Sequence, residues 1–125
     1  MNLTDYFENT TGIGVLATAD GTGKVDAAVY ARPHVQDETT IAFIMSDRLS
    51  HKNLQTNPSA VYLFSEKSEG HVGKRLYLTK VREETSPEAI DAVRRRQRGH
   101  NPVEGQHSYL VYFKVDKVRP LIGDQ

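Results

Sequence analysis

The sequence predicts a mainly β protein, a six-stranded antiparallel β-barrel that is closed or nearly closed, with short flanking helices. Six segments of strand length follow one another at short spacing, separated by turn residues and by brief helices. Regular helices between the strands, which a doubly wound sheet would need, are missing from this pattern. The length of 125 residues predicts one domain, residues 1–125.

Each predicted strand is a run of branched, aromatic or alternating apolar residues bounded by turn residues. Asp20-Gly21-Thr22-Gly23 supplies a hairpin turn between the first two strands. In order, the strands are expected at Ile13–Ala19, Val25–Val35, Thr40–Asp47, Ser59–Phe64, Arg75–Arg82 and Tyr109–Val115.

Capping residues predict where the helices begin and end. Thr4 or Asp5 can cap a first helix, and Gly12 is expected to end it. Ser86-Pro87-Glu88 opens a later helix, which is expected to end at Gly99. This helix, Pro87 to Arg98, is expected to pack across one end of the barrel through one apolar face, made of Ala89, Ile90 and Val93.

A short helix between the third and fourth strands starts with Ser50-His51-Lys52. The first backbone N–H groups of a helix lack partners, and the helix dipole is positive there, so this start is a candidate phosphate site. The plainer alternative stays open: Ser50 only caps the helix and Lys52 is only a solvated charge.

Composition excludes several functions. Lys plus Arg equals Asp plus Glu at 16 each, so no nucleic-acid or membrane partner is expected. Arginines 94–96 and Arg98 match the negative end of their helix dipole. The chain has no Cys, no signal peptide and no long apolar stretch, which predicts a cytoplasmic protein. The five His show no metal-ligand spacing, so no metal is expected, and no catalytic residue can be assigned.

The segment from Thr40 to Phe64 resembles the phosphate-binding stretch of the FMN-binding split-barrel superfamily, which includes the pyridoxamine 5′-phosphate oxidases and small FMN-binding proteins. Ser50-His51-Lys52, a short helix, Asn57-Pro58 and a further strand follow that superfamily's order. The resemblance extends over nearly the whole chain and is nearest to the small FMN-binding proteins. It implies a Greek-key split barrel and FMN as the cofactor.

The resemblance also implies roles for individual residues. The flavin phosphate would be held by Ser50, His51 and Lys52. Family members are homodimers with the flavin at the interface, so Arg75 is expected to reach the partner's cofactor. The ribityl chain and the ring would contact two strand segments, made of Ala28, Val29, Tyr30 and Ala31, and of Met45 and Ser46.

The implied function is electron transfer or a flavin-dependent oxidoreductase reaction with unknown substrate and redox partner. Ala28 stands where larger members carry an Arg, and their C-terminal substrate motif has no counterpart before Gln125, which argues against pyridoxamine 5′-phosphate oxidation. Two alternatives remain: a non-enzymatic binder of haem or deazaflavin, and a cofactor-free stress or interaction protein on the same fold.

Overall fold

A computed structural model of the protein describes residues 2–96 and 108–123, except for the side chains of residues 94–96. Within these ranges the chain forms three helices and seven strands. In chain order they are α1 Leu3–Asn9, β1 Gly12–Ala19, β2 Val25–Val29, β3 His34–Asp37, β4 Thr40–Ser46, α2 Leu49–Thr56, β5 Ser59–Glu66, β6 Gly73–Glu84, α3 Pro87–Arg96 and β7 Ser108–Pro120.

The strands form one antiparallel sheet in the order β2-β1-β5-β6-β7-β4-β3. Strands β5, β6 and β7 are neighbours in sequence order, and β4, which precedes them in the chain, lies beside β7. This is the strand order of a Greek key. The predicted mainly β, antiparallel class is confirmed, with seven strands instead of six and a sheet that does not close by hydrogen bonds.

The extra strand arises because the predicted strand Val25–Val35 is broken in the middle. Pro33 has no backbone N–H to give to a strand ladder, and the chain leaves the sheet before it. Strand β2 pairs with β1, whereas β3 pairs with β4. Two strands that are consecutive in the sequence therefore lie at opposite edges of the sheet.

Residues 30–33, here named the strap, join these two edges. A chain of this length reaches at most about 18 Å from Val29 to His34, so the sheet must curl until its edges are close. The Tyr30 N–H donates to the Gly14 carbonyl at 2.9 Å, and the Tyr62 hydroxyl donates to the carbonyl of Ala31 at 3.0 Å. The strap thus bridges the gap in a split barrel.

Gly14 permits this arrangement. A Cβ atom at position 14 would collide with the Tyr62 hydroxyl and would lie 2.7 Å from the Tyr30 carbonyl oxygen. A glycine is therefore required where β1 passes the Tyr62 side chain and the strap.

The barrel interior holds the main core, which α1 covers. Phe7 of α1 packs edge-on against Phe64, with ring centroids 5.3 Å apart. Helix α1 is capped by Asn2, whose side chain accepts from the Asp5 N–H, so the predicted cap at Thr4 or Asp5 is wrong, and Gly12 opens β1. The largest fully buried side chains are Tyr62, Phe64, Phe113, Leu16, Ile41, Met45, Leu76, Leu110 and Val111.

Helix α3 packs on the outer face of the sheet, not across a barrel end as predicted. Ile90 and Val93 lie against a second apolar cluster that contains Ala42, Leu110 and Tyr112. These residues alternate with inward-facing ones, so β4 and β7 are apolar on both faces and need a cover on each. The predicted helix end at Gly99 lies outside the described residues.

Of the helices in residues 2–96 and 108–123, none is long and apolar enough to cross a membrane.

Candidate functional site

Helix α2 connects β4 to β5 and carries the predicted phosphate-binding residues. Its N-cap is Arg48, and no described side chain caps this end. Lys52 is the first residue whose N–H bonds back into the helix, to the Arg48 carbonyl at 3.0 Å. Ser50 therefore lies inside the first turn and is not the cap, and the start of α2 presents N–H groups that have no partner within the helix.

A cavity of about 370 Å³, named the strap pocket, opens beside this helix start. Its walls come from β2 and the strap, from the end of β4 and from the first turn of α2. It is lined by Asp26, Ala28, Val29, Tyr30, Ala31, Arg32, Phe43, Ile44, Ser46, Arg48, Leu49 and Ser50. The small side chains at positions 28 and 31 leave the backbone of this wall accessible.

Two phenols hold the wall of the strap pocket. Burial raises the pKa of Tyr30, and the nearby Ser50 hydroxyl opposes that rise only in part. Burial also raises the pKa of Tyr62, whose hydroxyl donates to the strap carbonyls. Both groups are therefore neutral at pH 7 and act as hydrogen-bonding groups, not as anions.

The two arginines that line the strap pocket, Arg32 and Arg48, differ in their hydrogen bonding. Arg32 donates to the carbonyls of Phe7 and Thr10 at 2.7 and 2.9 Å, and so fastens the end of α1 to the strap. The Arg48 guanidinium makes no hydrogen bond or salt bridge within residues 2–96 and 108–123. Asp26 supplies a carboxylate on the β2 wall. Arg48 is thus a charge available to an anion.

A second, more open cavity of about 610 Å³ lies on the other side of α2 and is named the latch cleft. It is lined by Asp47, Arg48, Leu49, His51, Lys52, Gln55, Glu83 and Tyr109. The His51 ring, only 6% exposed, stacks on Tyr109 with centroids 3.8 Å apart. Its Nε2 lies 3.0 Å from Glu83 Oε2.

Glu83 is the centre of the polar network in the latch cleft. Lys80 Nζ lies 2.6 Å from Glu83 Oε1, and the Gln55 amide donates to the same oxygen at 3.1 Å. Burial by itself would raise the pKa of Glu83, but hydrogen bonds from Lys80, His51 and Gln55 lower it to about 2. The carboxylate is therefore charged across the physiological range.

The structure distributes the predicted site residues over four places. Six of them line the strap pocket, namely Ala28, Val29, Tyr30, Ala31, Ser46 and Ser50. His51 and Lys52 line the latch cleft, because each step along a helix turns the side chain by about 100°. Met45 is completely buried in the core, and Arg75 donates to the carbonyls of Pro120 and Gly123. Binding of a cofactor by these residues stays a prediction.

Arg48 is the residue that the sequence analysis missed, and it is common to both cavities. A signal was present, because Arg48 stands immediately before the helix start at which an anion was expected. No group of three or more potential metal ligands occurs within the described part of the chain.

Solved structures share this architecture. An FMN-binding protein from Syntrophomonas wolfei subsp. wolfei is 18% identical, with a TM-score of 0.77 over 95% of this chain and 83% of that chain. An F420 reductase is 12% identical, with a TM-score of 0.74 over 92% and 94%. A candidate pyridoxamine 5′-phosphate oxidase from Lactobacillus delbrueckii is 15% identical, with a TM-score of 0.69 over 94% and 89%.

No protein-family model matches this chain, and no curated protein matches it. At these identities the likeness is one of fold. The predicted resemblance to the FMN-binding split-barrel superfamily is therefore confirmed for the fold, which flavin- and deazaflavin-related proteins share.

Proposed function

We propose that the protein is a homodimeric, cytoplasmic flavoprotein that binds FMN at the strap pocket and serves in electron transfer or as a flavin-dependent oxidoreductase. One observation carries the proposal: a helix start without a side-chain cap and the Arg48 guanidinium, which has no hydrogen bond or salt bridge among the described residues, open onto a pocket with small side chains at positions 28 and 31. The chain has no Cys or Trp, and bound FMN would supply the electron-transfer chemistry.

The FMN phosphate fits the first turn of α2. A dianion there would accept hydrogen bonds from the free N–H groups near Leu49 and Ser50, and Arg48 would neutralise part of its charge. Lys52 is an exposed cation on the adjacent cleft and adds to the positive potential at the same helix end. These groups supply the anion site that the sequence predicted, with Arg48 added.

The flavin ring fits the wall formed by β2 and the strap. Its edge alternates hydrogen-bond acceptors and donors, which suits backbone groups near Ala28 and Ala31. The Tyr62 hydroxyl fixes the carbonyls of Tyr30 and Ala31 at 3.3 and 3.0 Å, so this stretch of backbone is held in one position. A fixed backbone favours binding because less freedom is lost when the ligand enters.

A second copy of the chain is the proposed cover for the apolar outer face of β1 and β2. On that face Ile13, Val25 and Val29 are 65%, 79% and 75% exposed. The strand register places Val15 opposite Val29 and Ala17 opposite Ala27 on this face, with Val61 of β5 on the other side of Ala17. Exposed apolar faces of this kind mark interfaces, and Val29 also lines the strap pocket, so a dimer through this face would shield the flavin.

Native mass spectrometry tests the dimer. The wild-type protein is expected to be dimeric, whereas Ile13→Lys and Val25→Lys should shift it to monomer. Val72→Lys, at an exposed valine in the turn between β5 and β6, is the matched control and should leave the dimer intact. A monomeric wild type would contradict this part of the proposal.

Titration with FMN and with riboflavin tests the cofactor and the phosphate site together. Arg48→Ala should weaken FMN binding by about tenfold or more and leave riboflavin binding nearly unchanged, because only FMN carries the phosphate. Lys52→Ala should also weaken FMN binding selectively, but by less. The control is Lys67→Ala, which removes an exposed lysine in the β5–β6 turn. Purified protein that takes up no FMN would refute the proposal, and equal losses for both ligands would refute the phosphate site.

A deazaflavin is the second candidate, and the fold shared with an F420 reductase favours it. Titration with F420 under the same conditions separates the two cofactors. The described residues that line the strap pocket include no histidine that could bind haem iron.

A further inference from the structure

We infer that Glu83 is a positioning residue for the phosphate-binding start of α2, and that it acts through His51. The inference rests on the proposed FMN function. Glu83 lies on β6 and lines the latch cleft, not the strap pocket, so it would contact no part of the cofactor itself.

The two halves of α2 are held by different parts of the protein. The C-terminal half is tied to β1 and its turn: the Asn53 amide donates to Thr18 Oγ1 at 3.1 Å, and the Gly21 N–H donates to Thr56 Oγ1 at 3.0 Å. The N-terminal half is tied through His51 to Glu83 at 3.0 Å. Gln55 of the C-terminal half also donates to Glu83 Oε1 at 3.1 Å, but that half keeps its bonds to Thr18 and Gly21 when Glu83 is removed, so loss of Glu83 should loosen mainly the N-terminal half.

The polar network fixes the orientation of the His51 ring. The Gln55 amide nitrogen lies 3.1 Å from His51 Nε2, but it donates its two hydrogens to the His51 carbonyl and to Glu83 Oε1, both at 3.1 Å, so none is left for the ring. His51 Nε2 then carries the proton and donates to Glu83, an assignment that follows from the network. Nδ1 is left facing Asp47 Oδ1 at 3.8 Å.

The position of His51 determines where the anion-binding groups lie. Its own N–H is one of the free groups of the first turn, and Ser50 and Arg48 precede it on the same turn. A binding site must be held to within about 0.5 Å by supporting contacts. The stack on Tyr109 and the bond to Glu83 fix the ring from two sides, and through it the first turn.

The experiment compares Glu83→Ala and Glu83→Gln with a neighbouring control, Glu84→Gln. Glu84 follows Glu83 in β6 and pairs with Arg82 and Tyr112 instead of α2. Affinities for FMN and riboflavin are measured, and thermal unfolding shows that each variant is folded. Glu83→Ala should weaken FMN binding by about tenfold and riboflavin binding by less than about twofold. Glu83→Gln, which keeps an oxygen acceptor for His51, should recover part of the loss, and Glu84→Gln should change neither affinity.

Amide hydrogen exchange of the ligand-free protein gives a second readout. Exchange at Lys52, whose N–H donates to the Arg48 carbonyl and closes the first turn, should become faster in Glu83→Ala, whereas Asn57, whose N–H donates to the Asn53 carbonyl, should keep the wild-type rate. Equal losses of FMN and riboflavin affinity, or unchanged exchange at Lys52, would overturn the inference alone. A wild-type protein that binds no FMN would overturn the proposed function and this inference with it.

Discussion

The two sides of α2 differ in how their polar groups are used. They are represented by the consecutive residues Ser50 and His51. Ser50 faces the strap pocket, where the Arg48 guanidinium and the first backbone N–H groups have no partner within the described chain. His51 faces the latch cleft, where Lys80, Glu83 and Gln55 satisfy one another. Groups left free on one side can bind a ligand, and a satisfied network on the other side holds them in place.

The largest expected effect on stability comes from truncating the α2 side chain that is buried in the main core. Leu54 of α2 is buried in the main core. Leu54→Ala should lower the free energy of unfolding by about 2–5 kcal/mol, because it leaves a cavity under the helix. Chemical denaturation measures this loss. Leu49→Ala, at an exposed position of the same helix, is the control. Similar losses for both variants would contradict the view that burial of Leu54 holds α2 in place.

The next prediction concerns how the contribution of Glu83, in the latch cleft, to stability depends on pH. The pKa of Glu83 is lowered from 4.5 to about 2, so its stabilising contribution is complete above pH 4.5 and is lost as the pH falls towards 2. Glu83→Gln should therefore be less stable than wild type by about 2–3 kcal/mol at pH 6, and the difference should shrink between pH 4.5 and 2. Denaturation at a series of pH values measures it, with Glu84→Gln as the control. A difference that stays constant over this range would contradict the assigned network.

A smaller effect tests the wall of the strap pocket. Tyr62→Phe removes the hydroxyl that donates to the Tyr30 and Ala31 carbonyls and should cost about 1 kcal/mol of stability. Because the strap would contact the ring and not the phosphate, FMN and riboflavin affinities should fall together. Tyr112→Phe, whose hydroxyl meets Glu84, is the matched control and should leave both affinities unchanged. A loss confined to FMN would place the strap near the phosphate instead.

The smallest effect on stability is expected at Arg48. Its guanidinium is exposed and has no partner among the described residues, so Arg48→Ala should change the free energy of unfolding by less than about 0.5 kcal/mol. Lys80→Ala, which removes the cation paired with Glu83, should cost more. Thermal unfolding of both variants without ligand makes the comparison. A larger loss for Arg48→Ala would mean that this cation stabilises the fold and is not reserved for a ligand.

Much of the fold could be predicted because its strands carry strong local signals. The alternation in Arg75–Arg82 corresponds to the centre of β6, and the apolar run in Tyr109–Val115 to the N-terminal half of β7. The break after Val29 was missed although Pro33 marks it, because both halves have strand-like residues. The position of α3 was missed because an apolar helix face does not reveal which apolar surface covers it.

The site was predicted only in part for a physical reason. Sequence order shows which residues are near a helix start, but not which wall each of them faces. Adjacent residues of a helix point about 100° apart, so Ser50 and His51 face different cavities. Glu83 comes from a distant strand, and only its contact with His51 in the folded chain reveals its role. The cofactor, the dimer and the cytoplasmic location stay predictions.

The strap limits how far the split barrel can open. Its residues are a covalent tether between two sheet edges that would otherwise be separate, so the mouth of the pocket has a maximum width set by bond lengths and not by weak contacts. A ligand therefore cannot enter by forcing the ends of β2 and β3 more than about 18 Å apart. Inserting a few glycines between Ala31 and Arg32 would lengthen the tether and allow the two sheet edges to move farther apart.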